Sequence, residues 1–213
     1  MTNYYPAFLD LQGKECIVVG GGTISEGKIN QLLACGAEVT VVSPSVTSSI
    51  RDLTATNHIR WHQREYVPGD LQRAFLAIAA TNSPEVNRRV SEEAVDNRIL
   101  INVIDTPDIC SFIAPSIVRR GEVIFAISTG GASPALARKL RECIENNEFL
   151  QYADLAPFLS RARQEVRSRG LVVPPDVWQR HINMTLVALV KDGLEQQALE
   201  HLIESLARDS NPK

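Results

Sequence analysis

What is scarce in this sequence excludes several kinds of protein before any motif is read. Cysteine occurs only as Cys16, Cys35, Cys110 and Cys143, far apart and without a CxxC pair or a Cys/His ligand spacing. That pattern implies neither a disulfide framework nor a zinc site, and it fits a reducing cytoplasm. The histidines His58, His62, His181 and His201 likewise form no ligand spacing, so no metal ligand is assigned. No apolar segment approaches the roughly 20 residues that a membrane-crossing helix needs. Met1 to Tyr5 lacks the basic start of a secretory signal. An excess of basic charge is missing too: the net charge of −3 exerts no general pull on nucleic acid or an anionic membrane. The expectation is a cytoplasmic, soluble protein with neither nucleic acid nor membrane as a partner.

With 44% hydrophobic and 22% charged residues over 213 positions, the chain can bury one large domain with a smaller appendage. Its most informative stretch is Lys14 to Gly36. An apolar run, Cys16-Ile17-Val18-Val19, stops at Gly20-Gly21-Gly22, and a helical pattern follows with Ile24, Ile29, Leu32 and Leu33 near one face. Strand, glycine turn and helix in that order form the phosphate cradle of a dinucleotide-binding βαβ unit. Glycine allows the sharp turn and leaves no side chain between backbone and pyrophosphate. The free N–H groups at the helix start face the phosphates. Two parts of the usual fingerprint are absent. The third small position is Ser25, and Ser43-Pro44-Ser45 stands where an acid would hold the adenosine ribose at the end of the second strand. Backbone groups or the hydroxyls of Ser43 and Ser45 must take over that contact. No Arg stands at this strand end to receive an extra phosphate, so NAD rather than NADP is the expected cofactor.

Ala37 to Val42 reads as a second strand, His58 to Gln63 as a short polar third, Ala74 to Ala80 as a buried fourth and Ile99 to Val103 as a fifth. Ser83 as N-cap and Pro84 at the first helical position open a helix that turns Val86, Val90, Ala94 and Val95 toward the sheet. This alternation predicts an α/β fold with a Rossmann-like, doubly wound parallel sheet and right-handed crossovers. After Asp105 the pattern changes. Ser116 to Arg119 and Glu122 to Ile127, joined at Arg120-Gly121, read as an antiparallel hairpin. A helix opening at Ser133-Pro134 has Leu136, Leu140, Cys143 and Ile144 as its apolar stripe. From Glu148 two or three amphipathic helices follow, broken near Gly170 and Pro174-Pro175, with Asp209 to Lys213 as a frayed tail.

Three further segments carry possible chemistry. Ala79-Ala80-Thr81-Asn82 ends the fourth strand at the carboxyl edge of the sheet, and reads equally as a helix cap or as a wall of the nicotinamide pocket. Asp105 ends the next strand. Within Asp105-Thr106-Pro107-Asp108 it reads as a turn residue, or as a carboxylate facing the cofactor and suited to a general-base step. Spacing alone leaves the turn role ahead. Ser128-Thr129-Gly130-Gly131 before Ser133-Pro134 is a second anion cradle or a simple loop with a cap.

Taken in order, these segments resemble the precorrin-2 dehydrogenase family, the dehydrogenase/ferrochelatase part of siroheme synthase. The matching pieces are Val18-Val19-Gly20-Gly21-Gly22 with Lys28, Gly36 to Pro44, Ala79 to Asn82 with Val86-Asn87, Asn102-Val103-Ile104-Asp105, and the long run from Ser111 to Arg138. The resemblance implies NAD-dependent oxidation of precorrin-2 to sirohydrochlorin by a homodimer. Its parts are an NAD-binding Rossmann-like domain (1–113), a dimerisation region of hairpin and helix (114–147) and a helical C-terminal domain (148–213). It makes Asp105 the catalytic residue, against the turn reading. It places cofactor contacts at Gly20, Gly22, Thr23, Ile24, Ser43, Pro44, Ala80, Thr81 and Asn82, and substrate contacts at Ser128, Gly130 and Arg138. Asp105 is the only carboxylate that this reading puts at the cofactor edge. The substrate's carboxylate arms call for cations, and Arg119, Arg120, Arg138, Arg141, Arg161, Arg163, Arg167 and Arg169 are the candidates. Some members of the family also take ferrous ion as a substrate and insert it. Two positions depart from the family pattern: Ser25 replaces Ala, and Gly27 replaces Arg just before Lys28. The rival reading is a non-catalytic NAD-sensing Rossmann module that acts through its helical tail.

Overall fold

The computed structural model describes residues 4–210, which form two compact units, one ending at Ala114 and the other starting at Pro115. In the first, runs rich in apolar residues form β1 (Glu15–Val19), β2 (Glu38–Val42), β4 (Leu76–Ala79) and β5 (Leu100–Val103), and the more polar Ile59–His62 forms β3. All pairs are parallel, in the order β3-β2-β1-β4-β5. Val19 pairs with both Val42 and Ala79, and Ala79 with Val103, so the carboxyl ends of four strands finish in line. That alignment delivers Gly20, Ser43, Ala80 and Ile104 to one edge of the sheet.

Helices α1 (Thr23–Leu33) and α2 (Ser48–Ala55) cover one face, packing Ile29, Leu32 and Ile50 on Val18, Val39 and Val41. Helix α3 (Pro84–Asp96) covers the other with Val90 and Ala94. The segment between β3 and β4 forms an irregular loop instead of a helix, and its Tyr66 and Leu71 fill the same core. Each fully buried aliphatic side chain contributes roughly 1.5–3 kcal/mol, so these two clusters fix the register of the sheet. Burial pushes the Cys16 thiol up to about 11, with Cys35 and Glu15 adding to the effect, and it is an inert core residue.

Several expectations need correction. Ile24 is 55% exposed, and Ser25 takes the buried position beside Ile29 and Leu32. Ile24 lies five residues before Ile29, about 140° round the helix, whereas Ser25 lies one turn before it. Val95 is 63% exposed for the same kind of reason, since Val90 and Ala94 define the buried face of α3. Helix α2, capped by Thr47, was not anticipated. Strand β1 starts one residue earlier than expected, at Glu15, whereas β2 and β5 each lose their first expected residue and β3 and β4 are shortened at both ends.

The second unit starts with the hairpin of β6 (Ser116–Arg120) and β7 (Val123–Ile127). The turn falls one residue later than expected, at Gly121-Glu122, where Gly121 takes a φ of +57°. Helix α4 (Pro134–Glu145) follows, capped by Ser133, and of its residues only Ala137 is buried. Its expected apolar stripe exists but is uncovered in the single chain, with Leu136, Leu140 and Cys143 exposed. A 3-10 stretch (Glu148–Leu155) leads into four helices rather than two or three: α5 (Ala156–Ser168), α6 (Pro175–His181), α7 (Met184–Lys191) and α8 (Glu195–Ser210). Two breaks are added to the expected ones: at Asn183, whose side chain accepts from the Leu186 amide at 3.1 Å and caps α7, and at Gly193, which takes a φ of +75° between α7 and α8. Leu155, Phe158, Ala162, Leu186, Leu202 and Leu206 form the core of this unit. Of the expected frayed tail, Asp209 and Ser210 belong to α8, and residues 211–213 lie outside the described residues, as do 1–3 of the start of the chain. Among the described residues no helix is long and apolar enough to cross a membrane.

Candidate functional site

The glycine turn is shaped by what surrounds it. Gly20 has a φ of +122°, and a Cβ there would lie 2.3 Å from the Ala80 carbonyl oxygen. A Cβ on Gly21 would lie 2.1 Å from the Ser45 carbonyl oxygen. Both positions require glycine because β1 brings the turn against the ends of β4 and β2. At Gly22 a Cβ would meet nothing within 4 Å, so the turn opens outward there. Gly22 is also the N-cap of α1 and supplies no side-chain cap, whereas Thr47 and Ser83 cap α2 and α3. The amides of Thr23, Ile24 and Ser25 have no hydrogen-bond partner among the described residues. An uncapped helix start behind an open glycine is the donor set that a pyrophosphate satisfies. Burial lowers the pKa of the half-buried Lys28 on the same helix.

In front of this turn lies a cleft of about 540 Å³ that gathers Gly20, Gly22, Ser43, Pro44, Ala80, Thr81 and Asn82. Thr23 and Ile24 lie just beyond its lining, in the first turn of α1. The walls are held by hydrogen bonds. Thr81 Oγ1 donates to Asn87 Oδ1 at 2.7 Å, and Asn87 Nδ2 returns a bond to the Thr81 carbonyl at 3.1 Å. Ser43 Oγ donates to the Ser45 carbonyl at 2.7 Å, and the Trp61 indole N–H donates to the Ser43 carbonyl at 2.9 Å. The proton of the Ser43 hydroxyl is therefore already committed within the turn.

Three cleft residues had no signature in the sequence: Glu65, Tyr66 and Arg89. Glu65 and Tyr66 lie in the irregular loop after β3, where no periodicity marks them. Arg89 follows Val86 by three residues on α3, a spacing that shares a helix face. The Arg89 guanidinium sits 5.7 Å from the centre of the Tyr66 ring. Glu93, one turn further on, accepts from the Tyr66 hydroxyl in a short hydrogen bond and from the amides of Gly69 (3.0 Å) and Leu71 (2.9 Å). Burial, reinforced by that bond to Glu93, raises the Tyr66 phenol well above its ordinary value. Arg64 grips Asp70 with two bonds of 2.8 and 2.5 Å. Burial pushes the Asp70 carboxyl up, but the bonds from Arg64 and the Val67 amide outweigh it and hold the group below the usual carboxylate range. The expectation that Asp105 would be the only carboxylate at this edge is thus corrected by Glu65.

Asp105 stands just past the end of β5, exposed, at the same carboxyl edge but outside the lining of the cleft. Its φ is +57°, the left-handed region that non-glycine residues enter with strain. The turn is pinned from below by Cys110, whose Sγ accepts from the Val103 amide at 3.1 Å and lies 3.3 Å from the carbonyls of Val103 and Thr106. Burial raises the Cys110 thiol pKa. Asn102 Nδ2 donates to the Phe112 carbonyl at 3.1 Å and closes the segment that follows.

Ser128, Gly130 and Arg138 belong to the second unit. Ser128 Oγ accepts from the Gly130 amide at 3.0 Å, and Gly130 takes a φ of +62°. Arg138 is exposed on α4 and paired with Glu142 at 3.0 Å. Of the other candidate cations, Arg120 is held by Asp154 through two bonds of 2.7 and 2.6 Å. Arg141, Arg161 and Arg169 pair with Glu145, Glu195 and Glu165, and Arg163 lies over Trp178. Arg119 and Arg167 form no ion pair among the described residues. No group of three or more His, Cys, Asp or Glu side chains among the described residues is arranged to hold a metal ion. A depression of about 630 Å³ at the opposite edge of the sheet is rimmed by Lys14, Glu38, Arg60 and Arg73. Arg60 there is paired with Glu15 and Glu38, and ligands of such sheets bind at the carboxyl ends of the strands.

Comparison with known proteins agrees with this geometry. A family model described as NAD(P)-binding matches residues 7–116, and one described as the sirohaem biosynthesis protein central region matches residues 126–147. The siroheme synthase of Nitrosomonas europaea is 39% identical over 98% of this chain and 45% of its own length. That of Neisseria meningitidis serogroup C is 35% identical over 97% of this chain and 44% of its own. The chain thus spans less than half the length of these curated relatives. The solved structure of SirC, a precorrin-2 dehydrogenase, superposes with a TM-score of 0.72 at 29% identity, covering 94% of this chain and 99% of that one. Along nearly its whole length the chain is similar to part of these siroheme synthases, and with the NAD(P)-binding model spanning more than half of the sequence it belongs to the NAD(P)-binding family.

Proposed function

We propose that this protein oxidises precorrin-2 to sirohydrochlorin with NAD as the acceptor. The observation that carries the reading is the uncapped, open glycine turn facing a cleft at the carboxyl edge of the sheet, in a chain that matches a precorrin-2 dehydrogenase structure over nearly its whole length. A nicotinamide bound in this cleft would supply the acceptor for the hydride that leaves the macrocycle. The protein's own residues do the rest. The amides of Thr23, Ile24 and Ser25 hold the pyrophosphate, Ser43 and Pro44 border the adenosine, and Ala80, Thr81 and Asn82 form the wall toward the nicotinamide. Asp105 takes the proton that must leave with the hydride, and its left-handed turn, pinned by Cys110, holds the carboxylate out from the end of β5. Ser128, Gly130 and Arg138 receive carboxylate arms of the substrate. The pair of Arg138 with Glu142 is solvent-exposed and weak enough to be exchanged for a substrate carboxylate.

The reading extends to a homodimer built through residues 114–147, because Ile117, Leu136 and Leu140 are each at least 40% exposed and seek a partner. It also extends to ferrous ion as a second substrate, inserted into sirohydrochlorin with Asp105 accepting the pyrrole protons. The deciding experiment supplies precorrin-2 and NAD and follows NADH absorbance. Appearance of NADH together with sirohydrochlorin is expected. No turnover with NAD binding intact would instead leave the chain as a dinucleotide sensor. Spectra of sirohydrochlorin with ferrous ion, with and without protein, check the insertion step.

A further inference from the structure

The acid that normally secures the adenosine ribose is missing from the end of β2, yet the cleft contains a carboxylate. We propose that Glu65, delivered by the loop after β3, is the ribose acid of this site and sets its preference for NAD over NADP. The inference rests on the dinucleotide reading of the cleft and names the residue that discriminates within it.

The backbone places Glu65 where the missing acid would act. β3 pairs directly with β2, with Val42 opposite His62. Beyond that pair the two chain ends stay bonded: the Ser43 amide donates to the His62 carbonyl at 3.2 Å, and the Trp61 indole to the Ser43 carbonyl at 2.9 Å. The loop leaving β3 is thereby held beside Ser43-Pro44-Ser45, and Glu65 lines the same cleft. Ser43 is a poor substitute for the acid, since it is buried and its proton is engaged by Ser45. Glu65, by contrast, is exposed, and its carboxylate has no ion pair or hydrogen bond among the described residues. Its neighbours are fixed on both sides, Arg64 by Asp70 and Tyr66 by Glu93. A carboxylate on an anchored loop accepts hydrogen bonds from a ribose diol at little ordering cost. It repels a phosphate on the same ribose, whose charge at neutral pH is nearly −2. The counter-charge of the cleft, Arg89, sits over the Tyr66 ring on the α3 side and adds general attraction for a dinucleotide without distinguishing the two.

Calorimetric titration of the full chain with NAD and with NADP tests this. Wild type is expected to prefer NAD. Glu65→Gln should weaken NAD about tenfold, as for loss of a charged hydrogen bond, and strengthen NADP, so that the preference collapses. Arg89→Gln should weaken both alike. A preference unchanged in Glu65→Gln, or equal weakening of both dinucleotides by it, overturns the role of Glu65 while wild-type NAD binding leaves the cofactor site standing. Wild type that binds neither dinucleotide overturns both. Unchanged melting temperatures of the variants show that the comparison concerns folded protein.

Discussion

Ser25 owes its surroundings to the helix face it lies on. It sits one turn before Ile29, fully buried, and its hydroxyl is the only buried side-chain polar atom without a partner among the described residues. A hydroxyl buried unbonded costs free energy that alanine does not. Ser25→Ala should therefore stabilise the protein, by up to about 1 kcal/mol in denaturant unfolding, with NAD affinity unchanged. Asp105 is governed by its backbone. Asparagine enters the left-handed region more readily than alanine, which pays roughly 1–2 kcal/mol there. Asp105→Asn is thus the cleaner removal of the carboxylate. It should abolish NADH formation from precorrin-2 while leaving the melting temperature and the calorimetric affinity for NAD as in wild type.

At the level of elements, two segments control the cleft. In α1, Gly27 is exposed, and an added Cβ would meet nothing within 4 Å. Gly27→Ala should raise unfolding stability by about 1 kcal/mol, the helix-propensity difference in an unobstructed site. Gly27→Arg, which adds a cation on the helix proposed to hold the phosphates, should leave NAD binding in calorimetry unchanged or tighter. The loop between β3 and β4 replaces a crossover helix and depends on side-chain bonds instead. Asp70 has a folded pKa below its ordinary value, so it binds its proton less readily folded than unfolded. Its contribution is present above an unfolded carboxyl value of about 3.9 and is lost as pH falls through the lower folded value. Wild type should be more stable than Asp70→Asn in urea at pH 6, and the gap should close as the pH is taken below about 4.

For the whole molecule, the uncovered apolar residues matter most. Leu136 is 50% exposed, Leu140 41% and Ile117 40%. Leu140→Glu places a charge among them and should convert the proposed dimer to a monomer in sedimentation equilibrium, with the helical content unchanged. At this scale the sequence was readable wherever the pattern was local. The apolar run into Gly20, the Ser83-Pro84 and Ser133-Pro134 helix starts and the hairpin around Gly121 all appear as expected, give or take a residue. The cleft was half legible. Gly20, Ser43, Ala80, Thr81 and Asn82 could be found because they terminate recognisable strands. Glu65, Tyr66 and Arg89 could not, because a loop without periodicity and one residue of a polar helix face carry no local mark.

The sequence by itself determined the alternation of strands and helices, the glycine turn and the parallel sheet that follows from them. These are consequences of short-range chemistry: strand-forming apolar runs, caps, and a backbone that only glycine allows between crowded strand ends. The tertiary structure alone decided which side chains share the cleft. Pairing of β3 with β2 carries Glu65 to the end of a strand that lacks its own acid, and α3 brings Arg89 over Tyr66. Such neighbours are set by the register between distant segments, which the buried core enforces and no local stretch of sequence records.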